Sequence, residues 1–112
     1  MKKAVAYSNY IRISPRKARL AADLIRKMNV DKAMTQLGLC NLRGGRLLQK
    51  TLSSAIANAE TQQDVQRRDL IVKEVRVDAG PTLKRAKSKS RGGKVPIMKR
   101  TSHFTIIVGT EG

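Results

Sequence analysis

The sequence predicts an α+β fold: three helices packed on a small three-stranded antiparallel sheet, with a long β-hairpin protruding from it. Three observations lead there. The chain has 112 residues, enough for one core and little more. From Ser14 to about Thr61 its apolar residues follow helical spacing. A weakly alternating segment precedes that block, and two segments rich in β-branched residues, Leu70 to Val77 and Thr101 to Val108, follow it. The order is therefore β-α-α-α-β-β, with the helices covering one face of the sheet.

Lys2 to Ile13 reads as the first strand, Ala4, Ala6 and Ser8 on one face and Val5, Tyr7 and Asn9 on the other. Ser14-Pro15 is a helix start, serine as N-cap and proline at the first helical position. The helix is expected to run to about Lys27, with Leu20, Leu24 and Met28 as its apolar row, Ala21 and Ile25 beside it, and Arg16, Arg19 and Arg26 on another face. Asp23 is available to pair with Arg19 or Lys27 on that face, but one acid among so many bases favours a face meant for a polyanion. Asn29-Val30-Asp31 breaks the pattern, and Asp31 is the expected cap of a second helix from Lys32 to about Asn41. A third helix follows from about Arg43 to Thr61. Leu48, Leu52, Ala55, Ile56 and Ala59 repeat at 3.6 spacing, and its small residues permit close packing. Gly44-Gly45 lacks the surroundings of a phosphate loop and reads as flexibility at the helix start. Gln62 to Arg68 is a polar loop.

The last third carries the strongest signal. From Ala79 to Arg100 there are eight basic residues and no acidic one, and Arg91-Gly92-Gly93-Lys94 supplies a turn. If both arms stay extended from Leu70 to the glycine pair, each is roughly 60–70 Å long at ~3.3 Å per residue. A domain of this size has a radius of gyration of only ~13 Å, so the tip must project beyond the core. An isolated two-stranded ribbon is marginal in water, and this one repels itself. It makes sense when a polyanion surrounds it and orders it. Pro96 has no N–H for a ladder, so regular pairing is expected to fail there.

The formal net charge is +16. Residues 1–78 hold sixteen basic and seven acidic residues; the much shorter remainder holds eight and one, almost half of the excess. Such a balance points to nucleic acid or an anionic surface. No apolar run approaches the ~20 residues of a membrane span, and the segment after Met1-Lys2-Lys3 is too short and polar for a signal peptide. The protein is expected to stay in the compartment where it is made. One cysteine, Cys40, excludes an internal disulfide and reads as a buried or half-buried thiol. One Cys and one His make no zinc set, so neither a metal nor a cofactor is expected. Asp23, Glu60 and Asp78 lie in separate elements with no paired-carboxylate pattern, and His103 is the only imidazole, so an enzyme is not expected. With no Trp and few other aromatics, base-stacking platforms are scarce, which favours structured RNA or duplex gripped by its phosphates.

Three blocks occur in order: Ser54-Ala55-Ile56-Ala57-Asn58-Ala59-Glu60, then Asp78-Ala79-Gly80-Pro81-Thr82-Leu83-Lys84-Arg85, then Met98-Lys99-Arg100-Thr101-Ser102-His103-Phe104-Thr105. With Arg19-Leu20-Ala21-Ala22-Asp23-Leu24-Ile25-Arg26, they make the chain resemble the bacterial-type large-subunit ribosomal protein twenty-two family over nearly its whole length. The resemblance implies a structural, non-enzymatic protein that binds large-subunit ribosomal RNA early in assembly, beside neighbouring ribosomal proteins. It implies a body at the subunit surface and a hairpin whose tip lines the nascent-polypeptide exit tunnel, where macrolide drugs also bind. This chain departs from many relatives in having two adjacent glycines at the tip, and Pro96 on the return arm.

The residues assigned to RNA are Arg12, Arg16, Lys17, Arg19 and Arg26 in the body, Lys84, Arg85, Lys87, Lys89, Arg91, Lys94, Lys99 and Arg100 in the ribbon, and Ser102 and His103 beyond it. The tip expected at the tunnel is Ser88, Lys89, Ser90, Arg91, Gly92, Gly93 and Lys94. Residues 1–112 are expected to form one domain, with residues 79–101 as its projecting hairpin. The expected location is the cytoplasmic ribosome, with the plastid stroma as an alternative, and the nascent polypeptide is a transient partner. No membrane or small-molecule partner is expected. The rival reading is a generic basic nucleic-acid-binding architectural protein, for example a DNA-architectural factor whose basic ribbon enters a groove. Such ribbons usually serve as dimer arms with an apolar wedge, whereas this tip is Ser, Lys, Arg and Gly.

Overall fold

Ser14 and Pro15 start a helix as their chemistry requires. The Ser14 hydroxyl accepts from the Lys17 N–H at 3.3 Å, and Pro15 opens α1, Pro15–Asp23. The computed structural model describes residues 3–40, 43–81, 83–88 and 94–110, with backbone alone for 83–88 and 94–99. In chain order it contains β1 (Lys3–Ile11), α1, α2 (Val30–Leu39), α3 (Arg43–Gln62), β2 (Leu70–Ala79), β3 (Leu83–Ser88), β4 (Lys94–Lys99) and β5 (Ser102–Thr110). The predicted α+β architecture holds: β1, β5 and β2 form an antiparallel sheet in that order, and β3 pairs with β4 in a second ladder.

β5 is the central strand. Its Phe104, Ile106 and Val108 are fully buried, opposite Val77, Val75 and Val72 of β2 and against Ala4 and Ala6 of β1. The helices cover this face. α3 crosses β1, and its Asn58 amide donates to the Val5 carbonyl at 3.1 Å, occupying an acceptor on an edge strand. Thr51 of α3 and Ser8 of β1 share a hydroxyl hydrogen bond of 2.8 Å. These two contacts satisfy polar groups that packing would otherwise strand away from water.

Four local expectations are corrected. First, α1 stops at Asp23 rather than Lys27. The chain tightens through 3.1–3.2 Å bonds into a turn, passes Lys27 at φ 64, and lays its backbone along the edge of β2. Lys27 N–H donates to the Val72 carbonyl and Val72 N–H to the Met28 carbonyl, at 3.0 and 2.8 Å. Second, the buried side of α1 is Ala18, Ala21 and Ala22, with Ile25 just beyond, while Leu20 and Leu24 are 56 % and 39 % exposed. The alanines let the backbone of α1 approach its neighbours, which leucines on that side would prevent. Third, α2 is capped by Asn29, whose side-chain oxygen accepts from the Asp31 N–H at 2.9 Å; Asp31 lies in the first turn, where a carboxylate suits the helix dipole. α2 ends at Leu39, and Asn41 lies outside the described residues. Fourth, Gly44 and Gly45 are buried packing positions. A Cβ on Gly44 would stand 3.2 Å from the Ala18 Cα, and one on Gly45 would stand 3.1 Å from the Leu37 carbonyl oxygen and 3.2 Å from the Cys40 Cβ. Their lack of a side chain lets α3 start between α1 and α2. Cys40 is half-buried there, as expected of its thiol.

The loop after α3 is tied back to the start of α2. Asn29 donates to the Arg68 carbonyl at 3.1 Å, and Arg67 bonds Asp31 at 2.6 Å. The ion pair is on the surface, worth about 0–1 kcal/mol.

The last third is two ladders rather than one continuous hairpin. Three residues separate β2 from β3, but only two separate β4 from β5, so the arms are unequal at a neck between the ladders. Beyond the neck the register runs from Leu83↔Lys99 to Ser88↔Lys94 without a shift. It passes through Ala86↔Pro96, contrary to the expected failure at Pro96. A two-stranded ladder consists only of edge strands, where proline is tolerated. The turn predicted at Gly92-Gly93 lies outside the described residues. The Cα envelope measures 62 × 25 × 17 Å and the radius of gyration is 17.0 Å, well above the ~13 Å of a compact domain of this length.

Candidate nucleic-acid interface

The basic residues of the body meet the root of the ribbon at one end of the body. The first turn of α1 contains no acid and carries Arg16 and Lys17, both exposed. A helix N-terminus already bears partial positive charge, so these cations repel it and are best stabilised by an anion from outside. Arg12 is exposed just before the helix.

Arg19 and Arg26, one and three turns into this segment, reach across to β2. Arg19 donates through Nε and Nη2 to the Val77 carbonyl at 3.2 and 3.0 Å. Arg26 donates through Nη2 to the Val75 carbonyl at 2.8 Å and through Nη1 to Asp23. The acid therefore pairs with Arg26, not with Arg19 or Lys27. Both arginines occupy outward carbonyls of an edge strand, which removes acceptors that would otherwise invite another strand. Arg26 is thus largely engaged within the protein, whereas Arg19 keeps part of its guanidinium free for the cleft beside it.

That cleft has a volume of about 390 Å³ and is lined by Pro15, Arg16, Arg19, Ala79, Gly80, Arg100 and Thr101. Three of its seven residues are arginines and none is acidic. The neck builds its far wall. Gly80 N–H donates to the Thr101 carbonyl at 3.0 Å, and the Thr101 hydroxyl donates to the Pro81 carbonyl at 2.7 Å. A Cβ on Gly80 would run into that hydroxyl and into the His103 ring, so this close approach requires glycine. Pro81, with no N–H, helps end the ladder. Arg100 is exposed in the two-residue link between β4 and β5, next to buried Thr101.

Two residues assigned to RNA make bonds within the protein. Ser102 is fully buried and its hydroxyl donates to the Ile13 carbonyl at 2.7 Å, tying β5 to the segment entering α1. It presents no surface to a partner. His103 is half-buried; its Nδ1 accepts from the Tyr10 N–H at 3.1 Å, and its ring meets Tyr10 edge to face at 4.9 Å between centroids. Lys84, Arg85, Lys87, Lys94 and Lys99 take their backbone places in the β3–β4 ladder, with Ser88 paired to Lys94 at its far end. Lys89, Ser90, Arg91, Gly92 and Gly93 lie outside the described residues.

Sequence reasoning missed the neck as a structure, although Gly80-Pro81 and Thr101 stood in the motif blocks as its signal. It also missed the Arg19 and Arg26 bonds to β2, for which spacing along the chain gives no sign.

The family model for ribosomal protein L22p/L17e matches residues 6–109. The chain belongs to this family. It is thus a ribosomal protein and not an enzyme. It is 69 % identical over 108 residues to the large ribosomal subunit protein uL22 of Protochlamydia amoebophila, covering 96 % of this chain and 97 % of that one. Against the proteins of the same name from Chlamydia pneumoniae and Chlamydia trachomatis serovar L2 the identities are 60 % over 104 residues and 58 % over 107. Those alignments cover 93 % and 96 % of this chain, and 94 % and 96 % of the relatives.

Proposed function

We propose that the protein is a structural component of the large ribosomal subunit in the cytoplasm, and that it holds ribosomal RNA at the end where α1 begins and the ribbon leaves the body. The observation that carries this reading is the acid-free arginine cleft at the neck, placed between a helix N-terminus and the root of a basic two-stranded ladder. Arg12, Arg16, Lys17, Arg19 and Arg100 hold phosphates there. Lys84, Arg85, Lys87, Lys89, Arg91, Lys94 and Lys99 continue the contact along the ribbon. Neutralising phosphates releases counterions, so affinity depends steeply on salt while sequence matters little. A-form RNA favours such backbone recognition because its major groove is too deep and narrow to read. The ribbon tip, Ser88 to Lys94, lines the tunnel and meets the nascent chain, and residues 79–101 act as one projecting unit of a single domain. Neighbouring large-subunit proteins pack around the body.

Arg16 and Arg100 are exposed lining residues, and among the described residues neither bonds an acid, so they can be changed without disturbing the fold. The variant Arg16→Gln/Arg100→Gln should bind large-subunit ribosomal RNA more weakly. Its plot of log affinity against log salt should be shallower by about one for each phosphate no longer neutralised. A slope equal to that of the parent protein between ~50 and 200 mM salt would reject the cleft as a phosphate site.

A further inference from the structure

We propose that Tyr10 is a stacking platform for an unpaired base of the bound RNA, an inference that rests on the RNA-binding reading above. Along β1, Ala4 and Ala6 point into the core and Ser8 bonds the helix above it. Strict alternation would send Tyr10 the same way. The ladder prevents this: pairing jumps from Ser8↔Phe104 to Ile11↔Ser102, so β1 carries an extra residue opposite His103. Tyr10 takes φ 58, a left-handed conformation uncommon for a bulky side chain, and is 65 % exposed. The fold thus takes its second tyrosine out of a core position and holds it in solvent. Such outliers persist where the surroundings fix them, and they cluster at functional sites.

The surroundings here are specific. Tyr10 N–H donates to Nδ1 of His103, which places the ring proton of the neutral imidazole on Nε2. The two rings pack edge to face, with planes at 85°. Nε2 faces Gly80, whose absent side chain makes room for it. The tyrosine is therefore pre-positioned before RNA arrives. Gly80 also lines the arginine cleft, and exposed Arg12 lies two residues further along the chain. An aromatic face beside phosphate-binding cations is the combination that single-stranded nucleotides need, since every base has a π face. The ligand is an unpaired nucleotide at a loop, bulge or helix end of structured RNA, which is where bases are free to stack.

The test uses the full chain and full-length large-subunit ribosomal RNA made by transcription. Tyr10→Phe keeps the ring and should bind within about twofold of the parent. Tyr10→Asn removes the ring, and asparagine tolerates the left-handed backbone. It should lose about 5- to 160-fold in affinity, the range of one base–aromatic stack. Its salt slope should not change, because every phosphate-binding cation is kept; this separates it from the arginine variant. A Tyr10→Asn protein that melts like the parent and binds RNA equally well would overturn the inference. If that variant melts earlier, the native protein decides: ultraviolet crosslinking should place a nucleotide adduct on Tyr10, and adducts elsewhere with none on Tyr10 would overturn it. Failure of the parent protein to bind this RNA would instead reject the functional reading itself.

Discussion

Single atoms at the neck decide how the ribbon leaves the body. Gly80 faces the Thr101 hydroxyl and the His103 ring where a Cβ would stand, so Gly80→Ala must push buried Thr101 or the histidine aside. Overpacking of this kind costs about 1–3 kcal/mol. The midpoint of urea unfolding should fall accordingly, and RNA affinity should fall with it because the cleft wall moves. An unchanged midpoint would show that the neck yields. Ser102→Ala offers a cleaner comparison. It leaves the Ile13 carbonyl without its 2.7 Å donor in a buried setting, at a cost of about 1–3 kcal/mol, and touches no surface cation. Its RNA affinity, measured where the protein is folded, should equal that of the parent. A drop in affinity with no drop in stability would return Ser102 to the interface. The sequence marks Ser102 only as a polar residue beside a basic run, and its burial depends on β5 being the central strand, a fact of topology.

At the scale of elements, helices and strands were legible where one local signal dominated. Ser14-Pro15 placed the start of α1, and the repeat through Leu48, Leu52, Ala55 and Ala59 placed α3 with an end one residue away. The helix α1 misled because leucines outrank alanines as apolar markers. Its buried side is alanine, chosen for close approach, and its end is set by hydrogen bonds to β2 some forty-five residues later, near Val72. The ribbon was legible as a basic hairpin, while its division at the neck turns on contacts between residues twenty apart, such as Pro81 and Thr101. Glycine in helices gives a paired test of the packing account. Alanine exceeds glycine in intrinsic helix stability by about 1 kcal/mol. At Gly38 a new methyl meets only the far end of the Gln49 side chain, at 3.2 Å, and that flexible side chain can give the few tenths of an ångström needed while its amide still donates to the Met34 carbonyl, now at 3.0 Å. Gly38→Ala should therefore raise the melting temperature. At Gly45 the same methyl meets the Leu37 carbonyl and Cys40, both held by packing, and Gly45→Ala should lower it. Equal effects of the two would refute the claim that α3 begins in a space only glycine fits.

The whole molecule divides its work between a body built on a core and a two-stranded ladder beyond it. Removing residues 88–94 takes away the far end of the ladder and leaves β2, β5 and the helices intact. Contacts that far apart contribute nearly independently. The shortened protein should fold with the melting temperature of the parent and enter large subunits in cells that lack the full-length copy. Passage of nascent chains or the response to tunnel-binding drugs should change. Absence of the folded variant from isolated subunits would assign docking to the tip. The sheet order also governs when the body comes into being during synthesis. β1 and β2 do not pair with each other; among the described strands each is joined to the sheet through β5, which is made after the entire basic ribbon. Until residues 102–110 have left the ribosome that makes them, three helices and two strands lack the central strand that joins them into one sheet. Most of the positive charge is by then already in solution. The newborn chain thus meets cellular polyanions while still open, and the same repulsion that weakens the isolated ribbon holds such immature chains apart from one another until the last strand slides between the first two.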